Sequence, residues 1–472
     1  MYNIKSLKAE EFISHEEIMD TLRYAKENCN NSVLINEILD KARLEKGLSH
    51  REASVLLACE DKSVQEEIFE LAKQIKDHYY GKRIVMFAPL YLSNYCINGC
   101  VYCPYHRGSN GVVRRKLTQE EIRREVIALE NIGHKRLAIE AGEDPVNNPI
   151  EYILESIKTI YSIHHKNGDI RRVNVNIAAT TVENYRKLHE AGIGTYILFQ
   201  ETYHKESYEK LHPTGPKSDY AYHTEAMDRA MEGGIDDVGL GVLFGLERYN
   251  YEFAGLLMHA EHLEAVHGVG PHTISVPRIR PAEGVDPNDF EGGIDDDMFA
   301  KICALIRISV PYTGMIISTR ESKSVRERVL QLGVSQISGG SRTTVGGYDS
   351  DSESDDGSEQ FDVSDRRTLD EVVKWLMELG FIPSFCTACY REGRTGDRFM
   401  SLCKSGQIGN CCHPNALMTL MEYLEDYASA ETKAVGEKLI ERQLLNIPSD
   451  KIRSIAKKRI EDIKKGSRDF RF

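Results

Sequence analysis

No run of 18 apolar residues occurs anywhere in the 472-residue chain, so a membrane-spanning helix is not expected. The N-terminal stretch MYNIKSLKAEEFISHEE is charged and has no apolar core. A secretory leader is therefore not expected, and a cytoplasmic location is. Positive charge is in deficit: 60 Lys+Arg against 73 Asp+Glu leave a net charge of −13. A nucleic-acid binder usually carries a basic patch or stripe, so that class is disfavoured. Collagen-like, low-complexity and small disulfide-scaffold compositions are absent, and tryptophan occurs once. What remains is an ordinary large globular composition with 11 cysteines. In such a chain they point to reduced thiols, metal ligands or catalysis before disulfides.

Residues 1–80 read as a helical extension, with apolar positions at helical spacing in EEIMDTLRYAKEN and SVQEEIFELAKQIKDHYY. From Arg83 short β-rich runs alternate with amphipathic stretches. The runs are RIVMFAPL, RLAIEAG, VNVNIA, GTYILFQET, DVGLGVLFG, HTISVPR, MIISTR and VSQIS. Strands alternating with helices predict an α/β fold, a parallel (β/α)8 TIM barrel over 81–348. Thr118 and Glu121 form a capping box, and Gly133 and Gly333 sit where helices should stop. The segment 349–365, DSDSESDDGSEQFDVSD, is acidic and poor in apolar residues, so it reads as a flexible loop. It leads into a mainly helical C-terminal part, 366–472, which contains a second group of cysteines.

Cys96, Cys100 and Cys103 lie in YCINGCVYCPY, just after the first strand, with the spacing C-x3-C-x2-C. Three thiolates on one loop can hold three irons of a [4Fe–4S] cube and leave the fourth iron open. A zinc site or three unrelated buried cysteines are the alternatives. Further on, Cys386, Cys389 and Cys412 give C-x2-C-x22-C, with Cys403, Cys411 and His413 nearby. There, local spacing suits tetrahedral zinc as well as iron–sulfur.

The first motif resembles that of the radical S-adenosylmethionine (SAM) enzymes. In that family SAM chelates the open iron, and one electron cleaves its sulfonium to a 5′-deoxyadenosyl radical. The resemblance implies that Tyr102 lies beside the adenine and that Gly142 and Glu143, in AGEDP, contact the methionine amine. It also implies that Glu201, in FQETYH, is an acidic contact to SAM. Each falls at the C-terminal end of a predicted strand, where barrel chemistry is built.

QETYHKESYEKLHPTGPKSDY, DDVGLGVLFGL and PHTISVPRIRP are similar to the aromatic amino-acid lyases of this group. The second cysteine triad resembles that of the tyrosine lyases of [FeFe]-hydrogenase maturation, which decides for iron–sulfur there. This likeness implies cleavage of the Cα–Cβ bond of L-tyrosine to p-cresol and a dehydroglycine fragment. The fragment yields carbon monoxide and cyanide, collected as an Fe(CO)2CN unit with free L-cysteine as an iron ligand. It also implies two [4Fe–4S] clusters, the second carrying an extra labile iron, with SAM as co-substrate. The expected partners are a reductant such as a ferredoxin or flavodoxin, and downstream hydrogenase maturases. A 2-iminoacetate synthase serving thiamine synthesis is the alternative activity.

His259, His262, His267 and His272 crowd one stretch. His272 precedes the sixth strand, which places it at the barrel bottom, and imidazole suits Fe(II). It is the expected ligand of the extra iron, with His262 second. A substrate carboxylate calls for a guanidinium. Arg320, ending the seventh strand, is assigned to it with Ser318 on the same face; Arg278 and Arg342 are rivals. Cys29, Cys59, Cys303, Cys403 and Cys411 have no assigned role, Cys411 being the substitute ligand.

Overall fold

A computed structural model describes residues 1–349, 359–396, 398, 401–402, 405 and 408–472. Eight parallel strands close into a barrel, with helices between them. They are β1 (Arg83–Ser93), β2 (Arg136–Ala141), β3 (Arg172–Asn176), β4 (Tyr196–Ile197), β5 (Val238–Gly241), β6 (Thr273–Ser275), β7 (Gly314–Ile317) and β8 (Gln336–Ser338). Closure comes from β8 pairing with β1, through Val85–Gln336 to Phe87–Ser338. All eight overlap the β-rich runs expected from the sequence; Arg83–Ser93 runs three residues past its run, and Arg172–Asn176 and Gly314–Ile317 each start one residue before theirs. The capping box forms as read: Thr118 starts the helix Gln119–Asn131, with Glu121 reciprocating. Gly133 follows that helix at φ +100°, a backbone that favours glycine.

A ninth strand, β9 (Ile382–Ser384), was not expected. It pairs in parallel with the start of β1, Arg83 facing Ile382 and Val85 facing Ser384. The C-terminal part is thus joined to the barrel sheet by backbone hydrogen bonds. The helix Leu369–Glu378 precedes it, and the helices Ile408–Asp426, Ala430–Leu444 and Asp450–Lys464 follow.

The N-terminal helices pack on the barrel's flank. His50 bridges two of them to the barrel helix Tyr249–His267, with its Nδ1 2.8 Å from Glu261 Oε2 and its Nε2 3.1 Å from Glu17 Oε1. Lys76 is buried in the helix Lys62–Tyr79 and donates to the Leu330 carbonyl at 2.7 Å. The acidic loop expected over 349–365 lies outside the described residues for 350–358. Its second half departs from that expectation, because Phe361, Val363 and Asp365 are buried and Asp365 pairs with the fully buried Arg326. Two apolar side chains and one internal ion pair outweigh the local acidity here. Among the described residues no helix is long and apolar enough to cross a membrane.

Candidate active site

The strands end on a cavity of about 250 Å³. Every residue assigned from the sequence to the chemical end lines it: the first cysteine triad, Tyr102, Gly142, Glu143, Glu201, Ser318 and Arg320. Strand ends and the loops after them converge there because parallel barrel strands all point the same way.

The cysteine loop is tied to the turn after β2. Ile97 N–H donates to the Glu143 carbonyl at 2.9 Å, and Asn98 Nδ2 donates to Glu143 Oε2 at 2.7 Å. Gly142 sits under the loop: a β-carbon there would fall 2.9 Å from Cys96 Cβ and closer still to the Tyr95 carbonyl. Burial pushes the Cys100 thiol up to about 11 and Cys103 to about 12. Thiols held this way ionise readily only when a metal takes the charge, so the donor set fits an iron–sulfur cluster. Among the described residues no three ligating side chains converge on a single ion.

Glu201 has φ +68°, in the left-handed region that non-glycine residues avoid. The strained turn is pinned on both sides. Leu243 N–H donates to the Glu201 carbonyl at 3.0 Å, and Tyr203 N–H donates to the buried Glu252 at 2.8 Å. Lys217 Nζ donates to Glu201 Oε1 at 2.8 Å. Burial opposes a charge on Lys217, but Glu201 and the Cys100 thiol outweigh it and raise its pKa. Tyr102 O–H lies 2.7 Å from His212 Nε2. His212 Nδ1 faces the Tyr208 carbonyl at 2.7 Å and must carry the proton, so Nε2 accepts from Tyr102. Burial and Lys217 push His212 down to about 3, which keeps it a neutral acceptor. Asn98, Lys217 and His212 were not singled out from the sequence. They lie in or beside the quoted YCINGC and KLHPTGPKSDY motifs, the one signal that could have found them.

Arg320 faces the cavity with its guanidinium 3.6 Å from the centroid of the Phe361 ring. Its backbone N–H donates to Ser318 Oγ at 3.3 Å. Among the described residues it has no carboxylate partner. The rival Arg278 is committed, with Nε donating to Glu321 at 3.0 Å and Nη2 to Asp296 at 2.8 Å. Arg342 is not among the residues lining the cavity. Gln360 beside Phe361 accepts from Tyr91 O–H at 2.7 Å, so the segment expected to be a free loop forms one cavity wall.

The opposite mouth of the barrel is a polar floor. Arg136 Nη2 donates to the Cys386 carbonyl at 2.8 Å, in the turn after β9. The Arg172 guanidinium lies 3.4 Å from the centroid of the Tyr390 ring, and Tyr390 O–H hydrogen-bonds Asp237. His272 is buried beside them, its Nδ1 3.3 Å from Asp237 Oδ1. Burial pushes it down to about 4, so the imidazole is neutral, the form that binds metals. Cys389, also pushed up to about 11 by burial, senses Cys386, Arg394 and Arg172. Cys412 stands partly buried on the helix Ile408–Asp426, which packs on β9. The His413 ring is 3.0 Å from the Gln443 carbonyl. Cys403 lies outside the described residues. His262, the second choice for the extra iron, is elsewhere. It stacks on Phe12 with ring centroids 3.8 Å apart, and its nitrogens face the Ile4 carbonyl and Asp228. That face of its helix meets the N-terminal extension, which removes it as a ligand.

A solved structure of HydG, a maturase of the [FeFe]-hydrogenase, superposes with a TM-score of 0.94 and is 56% identical, over 98% of this chain and 100% of that one. This chain belongs to the HydG family of radical SAM enzymes. The HydG of Carboxydothermus hydrogenoformans is 38% identical with a TM-score of 0.83, over 96% of this chain and 99% of that one. The Radical SAM superfamily profile matches residues 90–259, and that of the Biotin and Thiamin Synthesis associated domain matches 275–382. The 2-iminoacetate synthase of Salmonella typhimurium is 30% identical over 340 residues, 71% of this chain and 86% of that protein.

Proposed function

We propose that this enzyme cleaves the Cα–Cβ bond of L-tyrosine to p-cresol and a dehydroglycine fragment. The fragment is then converted to carbon monoxide and cyanide for an Fe(CO)2CN unit used in hydrogenase maturation. The observation that carries the reading is similarity to HydG over nearly the whole chain, with Cys96, Cys100 and Cys103 lining the cavity at one end of the barrel and the Cys386 carbonyl held by Arg136 at the other. When bound at Cys96, Cys100 and Cys103, a [4Fe–4S] cluster supplies one electron to SAM. The protein's own residues do the rest at that end. Tyr102 flanks the adenine, Gly142 and Glu143 receive the methionine amine, and Glu201 holds a further polar contact. Arg320 and Ser318 take the tyrosine carboxylate. An indiscriminate radical requires a site from which water is excluded once the substrates are bound.

At the other mouth, Cys386, Cys389 and Cys412 would hold the auxiliary cluster. His272 would bind the extra iron with free L-cysteine completing its shell. A ferredoxin or flavodoxin is the proposed reductant, and hydrogenase maturases the acceptors. Incubation with SAM, L-tyrosine and dithionite should give p-cresol and CO. Cys96→Ala should abolish both, and persisting p-cresol would refute the assignment. Changing Cys386 and Cys389 together to Ser should spare p-cresol and remove iron-bound CO. A wild type that stops at 2-iminoacetate and makes no CO would favour the 2-iminoacetate synthase reading, which the similarity to the Salmonella protein keeps in view.

A further inference from the structure

Three carboxylates line the cavity: Glu140, Glu143 and Glu201. Two are already engaged, Glu143 by Asn98 and Glu201 by Lys217. Glu140 is not explained by that scheme. Strand alternation puts Arg136, Ala138 and Glu140 on one face of β2. Ala138 and Glu140 line the cavity, and Arg136 reaches the Cys386 carbonyl at the far mouth. Glu140 therefore stands inside the barrel, one inward step below the Gly142 turn. Its carboxyl is half-buried at the cavity wall, where Asn176 and Arg320 are the groups that favour its charge. Among the described residues it has no cationic partner at ion-pair distance. A carboxyl placed so is costly to keep charged, and nothing in the fold uses it.

A tyrosine in this cavity has two polar ends. Arg320 and Ser318 serve the carboxylate. The phenol would be desolvated at the other end and needs its own partner. Tyr91 O–H is already spent on Gln360. Asn174, Gln336 and Ser275 also line the cavity, but as neutral groups they cannot hold a proton; His223 lines it too, but burial and Lys217 push its pKa well down, so it is a poor proton acceptor.

We propose that Glu140 receives the phenol hydroxyl of the substrate and accepts its proton during cleavage. The inference rests on the tyrosine-lyase reading above. In the step, the phenolic O–H bond breaks with both electrons left on oxygen, and a new O–H bond forms on the carboxylate. The proton returns to the oxygen when the cresol leaves. Burial pushes Glu140 up to about 8, which matches a group exchanging a proton near neutral pH. The same contact discriminates tyrosine from phenylalanine, because a site built around a hydroxyl leaves a buried polar group unpaired when the hydroxyl is missing.

The test uses the reconstituted full-length enzyme with SAM and dithionite, comparing wild type, Glu140→Gln and Glu140→Asp. Glu140→Gln should lower kcat for p-cresol by roughly 100-fold or more while 5′-deoxyadenosine is still formed. Glu140→Asp should restore part of the rate with an altered pH profile. Binding is read separately, by calorimetric titration of each protein with L-tyrosine and L-phenylalanine. Wild type should prefer tyrosine, and Glu140→Gln should lose most of that preference. A variant making p-cresol within about threefold of wild type, with unchanged preference and pH profile, overturns the inference and leaves the lyase reading standing. A wild type that makes no p-cresol overturns both.

Discussion

The Arg320 guanidinium and the Phe361 ring are stacked 3.6 Å apart, and Phe361 comes from a segment that composition marks as acidic and loose. Cation–π contact in a screened site is worth about 0.5–2 kcal/mol, and here it also fixes the plane of the fork. Phe361→Ala should raise the KM for tyrosine by roughly 3- to 30-fold with a smaller change in kcat. Steady-state p-cresol assays check this. An unchanged KM would mean that Arg320 needs no such support.

The Lys217–Glu201 pair is nearly buried, with side chains 16% and 12% exposed. Removing one partner of such a pair leaves an uncompensated charge, at about 3–5 kcal/mol. Lys217→Met should therefore lower both thermal stability and SAM affinity. The double variant Lys217→Met/Glu201→Gln should recover stability but not SAM binding. Calorimetry and equilibrium dialysis separate the two effects.

Gly142 has no room for a side chain. Gly142→Ala must displace the Tyr95 carbonyl or the Cys96 side chain. Iron bound by the first triad should fall while the auxiliary cluster loads normally. Iron analysis in a background lacking Cys386 and Cys389 reads the first site alone. Full loading there would show that the loop yields without cost.

His134 is buried, with its ring 3.1 Å from the Gly339 carbonyl, and burial holds its pKa down at about 4. The unfolded chain binds that proton near 6.5, so it carries more protons than the native state between those values. Stability is then lost as pH falls from 6.5 to 4. Relative to His134→Gln, wild type should lose up to about 1.4 kcal/mol per pH unit in that window. Denaturant titrations at pH 7, 6 and 5 measure it, and a pH-independent difference would contradict the assignment.

Much of this was legible in the chain. Eight strands were readable because buried parallel strands leave compact apolar runs, and the cysteine loop because ligand spacing is local. The misses have physical reasons. β9 is three residues long and contains Pro383, so it carries almost no strand signal of its own. Lys217 and Glu201 are 16 residues apart, and only the barrel brings them together. Phe361 and Val363 sit among acidic neighbours and are ordered by tertiary contact. His262 and His272 lie ten residues apart in one stretch, but a helix face turns one toward the N-terminal extension while the other sits at a strand foot.

β1 (Arg83–Ser93) connects the two mouths of the barrel. Its first residues bond to β9, two residues before Cys386, and its last residue lies three before Cys96. Eight steps from Val85 to Ser93, at about 3.3 Å each, span roughly 26 Å. A single strand is thus a ruler laid between the two metal-binding mouths, with each end tied to one of them. Lengthening it by one residue would rotate every later side chain to the opposite face. The gap between the two sites is therefore quantised by strand geometry, and it can change only if the barrel wall is rebuilt.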